Sequence, residues 1–161
     1  MEDKSSLQEV KDKYELKKHT YSLPDFSKFA EDFDIEKAGD KETDFIIREI
    51  RRIVIEKVSA YIHLFETILN PSSGSLLIFS VIKNLDHDDK KDIRDLYKKL
   101  ASMEITAMKL DTIYNENAEA DFIIKTYNDW QEIKLKINKI FEKFDKELDI
   151  NGSTSSSCYL G

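Results

Sequence analysis

Glycine and proline are confined to a few points of this chain: Pro24, Gly39, Pro71, Gly74, Gly152 and Gly161. The stretches 40–70 and 75–151 contain neither residue. Proline lacks a backbone donor and clashes with the preceding helical turn, and glycine loses too much backbone entropy on folding, so helix interiors exclude both. Such long unbroken stretches predict long helices. A chain that is 40% hydrophobic and 35% charged fits the same picture, because an amphipathic helix carries an apolar stripe and a solvated face.

Periodicity locates the helices. Ile47, Ile50, Val54, Val58, Tyr61, Phe65 and Ile68 recur at steps of three and four, and Ile46, Ile53, Ile62 and Leu69 add a second row. A stripe this wide predicts a central helix from about 40 to 69, capped by Asp40 and stopped by Asn70–Ser75. Leu76–Leu85 is nearly all apolar and predicts a short buried helix, since a single strand would have no partner. Asp86 is placed to cap a third helix. Along it, Ile93, Leu96, Leu100, Met103, Ala107, Leu110 and Tyr114 form a heptad seam. The sequence Tyr114–Asn117 weakens that helix, and Asn117 can cap a fourth one running to about 149. The competing topology is one continuous rod from 86 to 149.

Glu42–Arg48 and Glu119–Lys125 echo one another, reading ETDFIIR and EADFIIK. Acidic first turns are favoured by the helix dipole, which accounts for the likeness and supports a helix start near 117–118. The fold class expected is therefore all-α: an antiparallel helical bundle of three long helices plus a short buried helix and a short N-terminal helix. Residues 1–21 read as a flexible N-terminal arm or a frayed helix, 22–150 as the bundle domain, and 151–161 as a disordered Ser-rich tail.

Composition also narrows the function. A formal net charge of −7 argues against a nucleic-acid protein and against strong attraction to anionic lipid. No apolar run is long enough to span a bilayer, and the polar N-terminus does not read as a signal peptide, so a cytoplasmic protein is expected. The lone cysteine, Cys158, excludes an intrachain disulfide and a Cys-based zinc site. His63 and Glu66 stand three apart but in the reverse order of a Glu-x-x-His element, and no second such element exists. No metal site, cofactor or catalytic constellation is expected, and the chain is read as not an enzyme.

Three sets of residues remain as candidates. Phe26, Phe29 and Phe33 share one face of a short helix, which either folds back onto the bundle or docks in a partner's groove. With the seam residues Leu96, Leu100 and Met103 they form the expected partner-binding set, for a protein partner or for self-association. On this reading, deleting 1–35 leaves the bundle folded and abolishes partner capture. Arg48, Arg51 and Arg52 form a basic patch that could contact a nucleic acid or another anion, although Asp44 and Glu56 stand four residues away to pair with Arg48 and Arg52. Cys158, fourth from the end, resembles the cysteine of a C-a-a-X prenylation box, with Gly161 and Tyr159 departing from the usual pattern. Membrane attachment is expected only through that residue. The leading expectation is a non-enzymatic interaction or scaffold protein recognising a partner through apolar helix faces. The alternatives are a lipidated peripheral membrane protein and a nucleic-acid accessory factor within a larger complex.

Overall fold

A computed structural model describes residues 3–40, 44–73 and 76–154, with side chains placed over 8–39, 44–72, 76, 78–146. The helices are α1 (Asp3–Tyr21), α2 (Phe26–Asp32), α3 (Ile46–Leu69), α4 (Leu76–Asn84), α5 (His87–Thr112) and α6 (Glu116–Thr154). Short 3-10 turns occupy Ile35–Asp40 and Pro71–Ser73, and there is no strand among the described residues. The fold is an all-α helical bundle, as the periodicity predicts.

The polar pairs give the topology. As residue number rises along α3 it falls along α5: Arg51 meets Asp111, Ser59 meets Glu104, and Glu66 meets Tyr97. Those two helices are antiparallel. The same inversion joins α5 to α6, where Asp89 meets Lys143 and Lys99 meets Asp129. Between α3 and α6 the numbers rise together, from Arg48 with Glu119 to Tyr61 with Trp130, so the path is up, down, up. The rod from 86 to 149 is not formed. Ile113 leaves the helix with extended backbone, and Asn115 restarts it by accepting from Ala118 N at 3.1 Å. The cap is thus Asn115 rather than Asn117.

Asp86 caps α5 as expected. Its carboxylate accepts from Asp89 N at 2.7 Å, while Asp89 accepts from Asp86 N, closing a capping box. The Asp89 amide holds the Asp86 carboxyl below the usual carboxylate range. Asp25 caps α2 by accepting from Ser27 N. Asp40 does not cap α3, which begins at Ile46 without a side-chain cap. The reason is upstream packing: Ile35 and Ala38 are buried, and Ile35–Asp40 turns as a 3-10 element to bury them. Phe45 consequently precedes α3, whereas its echo Phe122 lies inside α6.

The stretch expected as a flexible arm contains a packed helix. Tyr14 of α1 is fully buried, Val10 nearly so, and the Tyr14 hydroxyl donates to Pro24 O at 2.7 Å. A tight reversal through Ser22, at φ 55, brings α2 back against α1. Phe29 then meets Tyr127 edge-on at 5.5 Å, and Phe33 packs on Trp130 at 5.2 Å. Asp32 is held by Lys134 and Gln131 of α6, each at 2.8 Å. Lys57 of α3 donates to Asp32 O at 2.5 Å with its ammonium 5.8 Å from the centroids of both Phe33 and Trp130. The α1–α2 segment is part of the core, so deleting 1–35 would uncover Tyr127 and Trp130 rather than leave a complete bundle.

Phe33→Ala removes a fully buried ring from this junction and is expected to cost about 3–5 kcal/mol of stability. Urea unfolding should show a lower midpoint with an unchanged slope. A loss under about 1 kcal/mol would mean that α2 is not integral to the core.

Candidate functional site

The basic patch of α3 is where the structure concentrates charge. Helical spacing turns Arg48 and Arg51 toward the corner between α5 and α6 and leaves Arg52 at the rim. Arg51 is 1% exposed and Glu119 is fully buried. Arg51 Nε donates to Glu119 Oε2 at 2.6 Å, and its Nη2 donates to Asp111. Arg48 Nε takes the other Glu119 oxygen at 3.0 Å, its Nη2 reaches Leu110 O, and its guanidinium lies 4.6 Å from the Tyr114 ring centroid. Arg52 donates to Glu49 Oε1 at 2.7 Å.

Two guanidiniums against Glu119 and Asp111 leave this corner without surplus charge. An anion entering it would have to displace a carboxylate from a desolvated, bidentate arrangement. Arg48 and Arg51 are thus engaged inside the fold, while Arg52 pairs with Glu49 and stays half exposed at the rim, so the three do not present one free basic patch. Their partners are Glu119, Asp111 and Glu49 rather than the helix neighbours Asp44 and Glu56. Glu116, one turn earlier on α6, ties α1 to the same end. Lys17 Nζ lies 2.6 Å from its Oε1, and Tyr21 donates to its Oε2 at 3.0 Å.

The expected partner-binding residues also turn inward. Phe26, Phe29 and Phe33 are buried, as are Leu96, Leu100 and Met103. The α5 seam is covered by α3 and α6 of the same chain from Ile93 to Ala107, opening only at Leu110 and Tyr114. Five of the six are spent on internal packing, and Met103 alone also borders a surface groove, so the set forms no continuous face for another molecule. Heptad spacing reports that a face is covered, and an intramolecular neighbour covers it as well as a partner does. Cys158 lies outside the described residues. Among the described residues no helix is long and apolar enough to cross a membrane, and no group of three or more His, Cys, Asp and Glu side chains is placed to hold a metal ion.

A depression of about 510 Å³ lies beside the C-terminal turns of α3 and is lined by His63, Glu66, Asn70 and Tyr97 among others. Tyr97 donates to Glu66 Oε1 at 3.1 Å, which raises the pKa of the tyrosine, and His63 Nδ1 lies 3.5 Å from Oε2. A narrower groove of about 310 Å³ runs between α5 and α6, with Met103 and Phe122 among its lining and Lys99, Lys125 and Asp129 around them.

Apolar side chains that do reach solvent lie elsewhere. On α4, Val81 is packed, whereas Leu76 and Phe79 are exposed. On α5, Ile105 is 55% exposed and Met108 64%. They stand three residues apart and so share a face on the outside of the bundle. Phe45 and Tyr114, edge to face at 4.9 Å, are exposed beside Ile113 at the α5–α6 corner. The sequence contained the signal for Ile105 and Met108: they are large apolar residues off the seam of a helix whose seam was already complete. Comparison with protein-family models, with curated proteins and with solved structures finds no match to this chain.

Glu119→Gln removes the charge that Arg51 and Arg48 share and is expected to destabilise the fold by about 3–5 kcal/mol. The double change Arg51→Met with Glu119→Leu should recover part of that loss, because it removes the fully buried charges and leaves only the part-buried Arg48 without its carboxylate. Chemical denaturation of wild type, Arg51→Met, Glu119→Leu and the double variant measures the coupling, and additive losses would show that the pair is not desolvated as a unit.

Proposed function

We propose that this chain is a non-enzymatic interaction or scaffold protein that recognises a partner through the outer face of α5, with α4 as a secondary contact. The observation that carries the reading is the exposure of Ile105 and Met108 on a helix whose seam is already used internally. A helix with one covered stripe and further large apolar residues outside it has capacity for another neighbour. The rigidity of the bundle supports the same reading. α5 is held by its capping box, by the Asp89–Lys143 and Arg51–Asp111 pairs, and by its buried seam. Its outer face is thus presented in a fixed shape, and a preorganised helix face loses little entropy on binding. A cytoplasmic setting belongs to this reading and is supported by the acidic net charge and the single cysteine.

Affinity capture from native lysate with the full chain tests the reading. Three baits are compared: wild type, Ile105→Ser with Met108→Ser, and Leu76→Ser with Phe79→Ser. A defined set of proteins is expected to fall about tenfold or more with the α5 variant. The α4 variant should lose less, and the thermal melts of all three baits should coincide. Identical captured sets across the three baits would remove the reading.

A further inference from the structure

α5 sorts its charges by direction. Asp89 is buried and paired with Lys143. Glu104 accepts from Ser59 of α3, and Asp111 accepts from Arg51. Asp92 and Asp95 lie on the flank toward α6, where they line a cleft with Glu132 and Lys136. Lys136 has a raised pKa there, mainly through its hydrogen bond to Glu132 and further through the fields of both aspartates. Glu104 and Asp111 are thus paired with α3, while Asp92 and Asp95 stay exposed at the edge of the cleft beside α6.

The cations are sorted the other way. Lys91, Arg94, Lys98 and Lys109 are all exposed. Helical geometry places them in one row, with Lys98 diametrically opposite the buried seam. Among the described residues none of the four takes part in an ion pair, whereas Lys99, one residue round the helix, pairs with both Asp129 and Glu132. Ile105 interrupts the row and Met108 borders it. From Lys91 to Lys109 the face runs about 27 Å, some five helical turns. It is a basic and apolar strip on a chain of net charge −7.

We infer that this face binds an acidic amphipathic helix of a different protein. The inference rests on the reading of α5 as the recognition helix and supplies the chemistry of its partner. Charge complementarity selects the occupant. A helix with carboxylates opposite Lys91, Arg94, Lys98 and Lys109 and an apolar turn opposite Ile105 and Met108 satisfies the whole strip at once. A second copy related by twofold symmetry would set cations against cations, so this face does not pair with itself. A nucleic-acid backbone would match the cations but leave Ile105 and Met108 against phosphate and sugar, and the acidic body of the protein would repel it. An anionic bilayer would meet the same repulsion with only two apolar side chains to insert.

The test uses the full chain and a labelled, designed amphipathic peptide of about 20 residues with a leucine stripe flanked by glutamates. Control probes are the same peptide with lysines for glutamates, a duplex oligonucleotide, and phosphatidylserine-containing vesicles. Saturable binding of the acidic peptide is expected, weakening steadily with salt because these charges are solvent-exposed. The triple variant Lys91→Glu, Arg94→Glu, Lys98→Glu should weaken it at least about tenfold. Ile105→Ser with Met108→Ser should weaken it separately, with circular dichroism melts unchanged for both. Failure of the acidic peptide to bind, equal binding to the charge-reversed variant, or tighter binding of the lysine peptide, oligonucleotide or vesicles overturns the inference. Lysate proteins lost with Ile105→Ser and Met108→Ser but retained by the charge-reversed chain would sink the acidic-helix assignment while leaving the interaction reading standing. Unchanged capture with every variant would end both.

Discussion

A guanidinium cannot shed its charge at any pH a cell reaches, so Arg51, once inside the bundle, requires carboxylates inside with it. Glu119 and Asp111 are those carboxylates, and they come from the two sides of one corner. Much of the architecture follows from that demand. A continuous helix through 113–115 would carry Glu119 beyond the end of α3, leaving Arg51 desolvated and unmatched. Closing the corner puts Asp111 and Glu119 on the same guanidinium and makes α5 and α6 antiparallel. Buried ion pairs contribute little net stability compared with apolar packing, but breaking one is costly. Here the pair acts by penalising the open rod.

The aromatic segment completes what the three long helices leave open. α3 is apolar over too much of its circumference to be satisfied by α5 and α6 alone. The remaining side is covered by α1, α2 and the Ile35–Asp40 turn through Tyr14, Phe29, Phe33 and Ile35. Aromatic rings suit this junction because edge-to-face contacts tolerate the irregular angle at which a short helix crosses long ones. Lys57 adds a polar stitch whose ammonium is matched by the Asp32 carbonyl and the faces of Phe33 and Trp130. Two effects that a wheel diagram treats separately, a basic residue and an aromatic stripe, here form one contact.

How much of this could be read beforehand differs by the range of the interaction. Local features were legible. The breaker-free stretches, the α3 stripe, the α5 seam and the Asp86 cap each depend on residues within a turn or two of one another, and sequence order preserves that proximity. The start of α3 was displaced because Ile35 and Ala38 are buried against distant residues, and long-range packing overrode the capping signal of Asp40. The partners of the arginines are illegible for the same reason. Asp44 and Glu56 are their neighbours along the chain, whereas Glu119 lies far off in sequence and adjacent in space. Phe26, Phe29 and Phe33 were identified as a face, but a periodicity says that a face is covered without saying by what. The packing of α1 is not legible because Val10 and Tyr14 are too few to distinguish a docked helix from a frayed one, although two anchors suffice when the surface they meet is already built.

The same distinction bears on the outer surface of α5. Burial is a demand the fold must meet, so a side chain that escapes it was free to be anything soluble. In a chain with 32 acidic and 25 basic residues, an outer helix face chosen only for solubility would carry both signs in alternation. α5 instead pairs Asp89, Glu104 and Asp111 with its neighbours, keeps Asp92 and Asp95 at the α6 cleft, and leaves Lys91, Arg94, Lys98 and Lys109 outward, with Ile105 and Met108 along the same strip. Segregation of this kind serves no internal contact, since none of those four cations pairs within the described residues. It also carries a cost, because like charges along one face repel at spacings of three and four. A feature that the fold does not use and that mildly opposes it is what a surface shaped by an external partner looks like, and the sign of that surface specifies the sign of what meets it.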